Sequence, residues 1–364
     1  MHPLNFARRL VMGPARLVAE LGDVLRFVRL SGRVGGLQGL DHGERSLSIA
    51  GPDAAEPSAE GQPRRSIRID RLKFWCAIAV VLLHGKWLLD LSPYANYLTV
   101  NGLFRAAVPA FALISGYYFS RQESSARRRW LLRIAQLYGL WSVVYLYFWF
   151  PASASRHDLV ETARNMLFGY HHLWYLPGIF LSGVIFIALA PSRWLGHIAL
   201  ACGVVGVALQ YYVILGGYLP ELAFRNGPFF LLPFFYIGHL LRTRRVPTIA
   251  GWLVGLGMAL VLLESSAIYF SGYRGDVDIM ISLYVLVPAI AAHQLSPTTH
   301  GDVRQSGVYR LSDWIYFFHP LTISLFEQFV PFLVSSLLAC VTTVAVGMLT
   351  RDLRARASRS GLPL

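Results

Sequence analysis

The chain has 364 residues, of which 55% are hydrophobic and 15% are charged, and its mean hydropathy is +0.47. Soluble domains have about 45–50% apolar and about 25% charged residues, so this composition excludes the disordered, fibrous and disulfide-scaffold classes. The apolar excess lies in runs long enough to cross a bilayer, which predicts an all-α polytopic membrane protein. A formal net charge of +13 is typical either of a protein that binds nucleic acid or of a membrane protein with basic cytoplasmic loops. The positions of the basic residues along the chain decide between the two.

The first 66 residues differ from the rest of the chain. Leucines and arginines alternate at helical spacing over residues 10–29, which predicts a basic amphipathic helix lying on a membrane surface. Residues 31–66 are rich in Gly, Ser, Pro and Glu and predict a flexible linker. We expect residues 67–350 to form the membrane domain and residues 351–364 to form a basic cytoplasmic tail.

Apolar runs predict about ten transmembrane helices. If the N-terminus is placed inside, 27 of the 33 lysines and arginines fall on the inner side, which agrees with the positive-inside rule. Both termini are therefore expected to be cytoplasmic, and the charge indicates topology rather than nucleic-acid binding. The spans are placed at 74–91, 102–119, 131–150, 173–190, 196–215, 227–241, 249–270, 279–295, 312–329 and 331–349.

Ionisable groups at span depth are costly, so each one is a candidate functional residue. His84 lies eleven residues after Lys73, which on a helix means three turns plus about 20°, hence one shared face and a rise of about 16 Å. Asp70 lies close to the same line. The face would offer an anion site at the cytoplasmic rim and an imidazole deep inside, able to act as a general base. A structural role, with His84 bonded to a neighbouring helix and Lys73 reaching the surface, is the other interpretation.

Other polar residues in the spans allow two interpretations each. Ser115 could donate a hydrogen bond to a ligand or to its own helix, and Arg105 could reach the outer surface or face a cavity. The acids Glu264, Asp278 and Glu327 lie near outer span ends, where we expect them to contact water. The three cysteines are expected to be small core residues, and no group of residues has metal-ligand spacing, so we expect no metal.

Six motifs, in order over residues 66–350, resemble the acyltransferase 3 family of membrane O-acyltransferases. They begin with Asp70-Arg71-Leu72-Lys73 followed by His84, and with Arg105 to Phe111 followed by Ser115-Gly116-Tyr117. Two positions depart from the family pattern: Lys73 replaces the more usual arginine and loses its bidentate fork, and Gln136 replaces a proline. The other motifs are Arg128-Arg129-Trp-Leu-Leu-Arg133, His172-Leu-Trp174-Tyr175, Phe234-Phe-Tyr-Ile-Gly238 and Leu311-Ser312-Asp-Trp-Ile-Tyr316-Phe-Phe-His319-Pro320.

The resemblance implies an enzyme that moves acetyl from acetyl-CoA, a co-substrate rather than a bound cofactor, to a carbohydrate hydroxyl. By position, His84 is the expected base or acyl carrier. The resemblance implies that the donor phosphates are bound by Lys73, Arg128, Arg129 and Arg133. Supporting roles are expected for Asp70, Arg105, Ser115, Tyr316 and His319.

Within the family the chain is most similar to exopolysaccharide acetyltransferases of the xanthan type, which acetylate mannose on a lipid-linked repeat unit. This implies a multi-pass protein of the bacterial inner membrane, whose partners are membrane lipids, acetyl-CoA and a lipid-linked oligosaccharide or polysaccharide. Three alternatives remain open: an acyltransferase for another surface glycan, a flippase for a lipid-linked saccharide, and an inactive scaffold that docks polysaccharide-assembly proteins.

Overall fold

A computed structural model describes residues 67–120, 122–149, 156–169, 171–190, 192–244, 251–295 and 308–359. These ranges contain α-helices joined by turns and short 3₁₀ or π segments, and they contain no strand. The amphipathic helix and linker predicted for residues 1–66 lie outside the described residues. The helices are α1 Ile67–His84, α2 Pro93–Val100, α3 Ala107–Phe119, α4 Ser124–Trp149, α5 Arg156–Phe168, α6 Tyr175–Leu189, α7 Leu195–Ile214, α8 Leu232–Thr243, α9 Gly251–Phe270, α10 Leu283–Leu295, α11 Ser312–Phe326 and α12 Phe332–Arg359.

The all-α membrane fold is confirmed for the described part of the chain. Each of the ten predicted spans overlaps a helix. Five helical segments there are long and apolar enough to cross a membrane. The count of ten crossings and the orientation of the termini stay predictions. The five segments are Pro93–Phe119, His172–Leu189, Leu195–Ile214, Gly251–Phe270 and Phe332–Leu353.

One predicted boundary was wrong. The first span was predicted to reach residue 91, but α1 ends at His84, because Lys86 adopts a positive φ of 49° that leaves the right-handed helix. The chain turns here and restarts at α2, where the Ser92 hydroxyl accepts a hydrogen bond from the backbone N–H of Ala95 at 3.2 Å. At the other end of the chain, α12 continues to Arg359, so the predicted tail begins within this helix. The cytoplasmic location of the tail stays a prediction.

Two glycines allow α3 and α8 to cross at backbone contact. A Cβ atom on Gly116 would lie 2.0 Å from the carbonyl oxygen of Phe235, and one on Gly238 would lie 2.0 Å from that of Leu113. Small residues permit such close approach between membrane helices. The crossing places the C-terminal end of α3 beside that of α8, and both ends carry polar residues.

Candidate active site

Three histidines from separate parts of the chain meet at the C-terminal end of α1. The ring of His84, the last residue of α1, stacks on that of His319 in α11, with centroids 5.2 Å apart. The His172 ring packs edge-on against His319 at 5.1 Å. His319 and His172 are buried, whereas His84 is exposed. The cluster therefore presents one accessible imidazole backed by two that solvent does not reach.

A proline inside α11 explains how His319 is held. Pro320 has no backbone N–H, so the carbonyl of Tyr316 lacks its usual partner four residues on. The Nδ1 atom of His319 lies 2.7 Å from that carbonyl oxygen. A carbonyl only accepts hydrogen bonds, so Nδ1 donates, and the neutral ring then carries its lone pair on Nε2. The His-Pro sequence thus fixes both the orientation and the tautomer of the buried imidazole.

Two tyrosines fix the histidine cluster to its neighbours. The hydroxyl of Tyr316 donates to the backbone carbonyl of His172, and that of Tyr145 in α4 donates to the carbonyl of Phe317 at 2.6 Å. Tyr175 packs against Tyr316, with ring centroids 6.0 Å apart. The predicted residues His84, His319 and Tyr316 therefore belong to one continuous group. Ser115 is half-buried in α3. The contribution of Tyr145 and His172 was not predicted.

Three cations surround the C-terminal end of α3, and we call this region the basic end: Lys73 of α1, Arg127 of α4 and Arg242 of α8. The ammonium of Lys73 lies 5.9 Å from the ring centroid of Tyr118. The guanidinium of Arg242 lies 5.4 Å from that of Tyr117 and donates to its hydroxyl at 3.3 Å. Arg127 donates to the carbonyls of Phe119 and Ser120 at 3.3 and 3.2 Å. Within the described ranges, no carboxylate lies within ion-pair distance of these three residues.

The basic end only partly matches the predicted donor-binding set. Lys73 belongs to it, but Arg128 and Arg129 point away from the bundle and are exposed, and Arg133 is half-buried further along α4. The inward face of α4 carries Arg127, Trp130, Ile134, Leu137 and Trp141 at helical spacing. That stripe could have identified Arg127 from the sequence. Arg242 gave no such signal, because its position depends on the crossing of α3 and α8.

Lys73 of the basic end and His84 lie on the same helix. Because α1 is uninterrupted from Ile67 to His84, eleven residues separate Lys73 from His84, which corresponds to about 16 Å along the axis. Asp70, one turn before Lys73, is only 4% exposed. The structure therefore keeps the spacing expected from the sequence, although His84 ends the helix instead of lying within it.

Arg105 belongs to a different group of charges. Its guanidinium is buried and pairs with Asp276 at 2.7 Å and with Asp278, and it also donates to the side chain of Asn101 at 2.8 Å. Asp278 is 4% exposed, so the expectation that it contacts water was wrong. Arg105 does not reach the surface, because two carboxylates and an amide bind it in the interior.

A comparison with known protein families assigns the chain to one of them. The acyltransferase-domain model of the acyltransferase 3 family matches residues 66–352. The chain belongs to the acyltransferase 3 family. The match covers all the described helices up to the last turns of α12, so the histidine cluster, the basic end and the Arg105 group all lie within the acyltransferase domain.

Two curated proteins are similar to parts of this acyltransferase 3 protein. A serine/alanine racemase of Enterococcus gallinarum is 26% identical over 296 residues, which cover 70% of this chain and 40% of the racemase. An amino-acid racemase of Enterococcus faecalis is 24% identical over 144 residues, or 35% and 20% of the two chains. The chain thus spans at most two fifths of these relatives. No solved structure matches.

Proposed function

We propose that this acyltransferase is an acetyl-CoA-dependent O-acetyltransferase that acetylates a sugar hydroxyl of an exopolysaccharide or of its lipid-linked repeat unit. The observation that supports it best is the pairing of an accessible His84 with a buried, tautomer-fixed His319. Lys73 of the basic end lies about 16 Å from His84 along α1, a separation that suits a donor with phosphates at one end and a thioester at the other.

His84 acts as the general base in this proposal. Its imidazole takes the proton from the sugar hydroxyl as the oxygen attacks the carbonyl carbon of the thioester. The new C–O bond forms, the C–S bond breaks, and the proton on His84 passes to the departing thiolate. His319 stacks on His84 and keeps it in place. A route in which His84 first carries the acetyl group uses the same residues.

Lys73 and Arg242, with Arg127 beside them, are proposed to bind the donor phosphates. Each lies against an aromatic ring, which leaves N–H donors for an anion, and charge-assisted hydrogen bonds to phosphate are strong. Arg128, Arg129 and Arg133 then attract the donor only at longer range. The exopolysaccharide acceptor and the bacterial inner membrane rest on the whole-chain resemblance, with lipid-linked saccharide and assembly proteins as the proposed partners.

The experiment that tests the proposal is the substitution His84→Ala. Membranes containing the full chain would receive labelled acetyl-CoA and a lipid-linked glycan, and acetyl esters on the glycan would be measured by mass spectrometry. General acid–base catalysis contributes about 10²–10⁴-fold, so we expect a loss of at least a hundredfold at unchanged protein level. His293→Ala, which removes an exposed histidine near the end of α10, is the control and should retain activity.

Normal acetylation by His84→Ala would contradict the proposed role of this residue. Unlabelled glycan with the unaltered chain would favour a flippase or a scaffold instead, since neither uses acetyl-CoA. The racemase similarity covers too little of those relatives to bring their activity into the proposal.

His319 is proposed as a positioning residue, and His319→Gln tests that role. The glutamine amide can still donate a hydrogen bond to the Tyr316 carbonyl, but the variant lacks the imidazole that stacks on His84. We expect kcat to fall about tenfold to a hundredfold, with a shifted pH profile, while the KM for acetyl-CoA stays unchanged. A raised KM with unchanged kcat and pH profile would assign His319 to donor binding instead.

A further inference from the structure

An apolar groove runs along the outer face of α7 and α8 and reaches the start of α10. Its volume is about 720 Å³, which is within the size range of small-molecule sites, about 300–1,000 Å³. Its large apolar side chains are open to the outside: Leu200, Val204 and Ile281 are 68%, 61% and 59% exposed. Because α7 is one of the helices able to cross a membrane, this face of the bundle is one that lipid chains would contact.

The groove is not uniformly apolar, since one end carries polar residues. Arg193 and His197 line it there, one turn apart at the start of α7. Trp194 lies between them, 55% exposed, with the Arg193 guanidinium 5.4 Å from its ring and the His197 ring 5.6 Å away. Exposed tryptophans are typical of the membrane interface. The cation is therefore placed at headgroup level, next to the opening of an apolar groove.

Two glycines keep the groove open. Gly196 and Gly203 are seven residues apart, so they share one face of α7. A Cβ atom on Gly203 would lie 3.1 Å from the hydroxyl of Tyr284, and one on Gly196 would lie 2.6 Å from that of Tyr236. Larger residues would fill the space between α7 and the tyrosines, so the depth of the groove depends on these two positions.

We propose that the groove binds one acyl chain of an anionic bilayer phospholipid, whose phosphate is bound by Arg193 and His197. From Leu195 to Val207 the helix rises about 18 Å, more than the thickness of one leaflet, about half of a 30 Å hydrocarbon core. The cation at the groove opening complements an anionic headgroup, and a basic residue near the surface favours such lipids. A zwitterionic lipid would gain only the apolar contacts.

Side chains of α8 connect the groove to the basic end of the candidate active site. Tyr236, which lines the groove, packs against His239 with ring centroids 5.8 Å apart. His239 lies 3.0 Å from the hydroxyl of Ser120, at the basic end. The lipid thus contacts the same helix that carries Arg242. Binding of the lipid itself does not depend on the acyltransfer reaction.

The experiment compares dioleoyl phosphatidylglycerol with dioleoyl phosphatidylcholine on the delipidated full chain in detergent, using native mass spectrometry to measure retention. We expect tighter binding of phosphatidylglycerol. The double variant Arg193→Gln with His197→Gln should weaken phosphatidylglycerol about fivefold and leave phosphatidylcholine unchanged. Arg244→Gln removes an exposed cation just after α8, and this control should leave both lipids unchanged.

Filling the groove tests the chain-binding part separately. Gly203→Leu should reduce retention of both lipids, because the new side chain occupies the space beside Tyr284. Equal binding of the two lipids to the unaltered chain, or equal weakening by Arg244→Gln, would overturn the proposal. It would also be wrong if the chain bound no lipid and formed a dimer that Gly203→Leu dissociates, since a second copy would then fill the groove.

Discussion

The two ends of the helix that runs through Leu103–Phe119 bind their cations in different ways. At the start of this segment, Arg105 is buried and paired with two carboxylates. At its last turn, aromatic rings contact Lys73, Arg127 and Arg242. These cations have no carboxylate within ion-pair distance in the described part of the chain. A cation paired with carboxylates has its charge and donors in use. A cation on a ring face still has N–H donors for an anion.

The Arg105 end stabilises a stretch of buried backbone that forms no helix. Residues 277–280 are almost fully buried, and buried N–H groups need partners. Side chains supply them: Asn101 accepts from Val277 at 3.1 Å, and Gln210 accepts from Asp278 at 2.9 Å. Glu264 accepts from Ile281 and Ser282 at 2.9 and 2.8 Å. The second carboxylate oxygen of Asp278 lies 3.8 Å from Arg225.

Tyr273 lies beside this network, and the same carboxylates act on its hydroxyl. The hydroxyl of Tyr273 donates to the carbonyl oxygen of Asp276 at 3.1 Å. Burial and the neighbouring Asp276 carboxylate both raise the pKa of the Tyr273 phenol. The charges at the Arg105 end are therefore paired with one another and stabilise the fold, whereas the basic end has charges available for a ligand.

The largest effect is expected from Arg105→Met. Removing one partner of a buried ion pair leaves an uncompensated charge and costs about 3–5 kcal/mol, here on Asp278. We expect a lower midpoint of unfolding in detergent, measured by circular dichroism, together with reduced protein in the membrane. Arg242→Met, at the opposite end, is the matched variant and should lower stability by no more than about 1 kcal/mol. Equal destabilisation by the two variants would show that the ends do not differ as described.

Much of the fold could be predicted from the sequence. Ten apolar runs correspond to helices, and the regular spacing of Lys73 and His84 is kept because α1 has no proline or glycine between them. Motif order also identified His319 and Tyr316, which lie within the histidine cluster. These features depend on residues close together in sequence or on one helix face, where periodicity is informative.

The remaining features depend on contacts between distant segments. Asp278 could not be assigned to Arg105 from the sequence, since 173 residues separate them. Arg242 reaches Tyr117 only because two glycines allow α3 and α8 to touch. The end of α1 at His84 depends on a positive φ at Lys86, a residue type that gives no warning of it.

The second prediction concerns donor binding at the basic end. Arg242→Gln removes the cation beside Tyr117, and the loss of one charge-assisted hydrogen bond to phosphate, about 1.5–3 kcal/mol, should raise the KM for acetyl-CoA about tenfold or more. Steady-state kinetics on purified chain would measure it. Arg129→Gln removes the same charge from the exposed face of α4 and should change KM less than twofold. If Arg129→Gln raised KM as much as Arg242→Gln, the donor would follow the predicted arginine stretch instead.

The smallest effect is expected from the ring beneath Lys73. Tyr118→Leu removes a cation–π contact of about 0.5–1 kcal/mol, so Lys73 is no longer fixed in place and the KM for acetyl-CoA should rise about twofold to fivefold. Tyr118→Phe keeps the ring and should behave like the unaltered chain. Stability should change little in both variants, in contrast to Arg105→Met. If Tyr118→Leu instead destabilised the fold as strongly as Arg105→Met, the rings at the basic end would be structural supports, and their cations would not be held ready for a ligand.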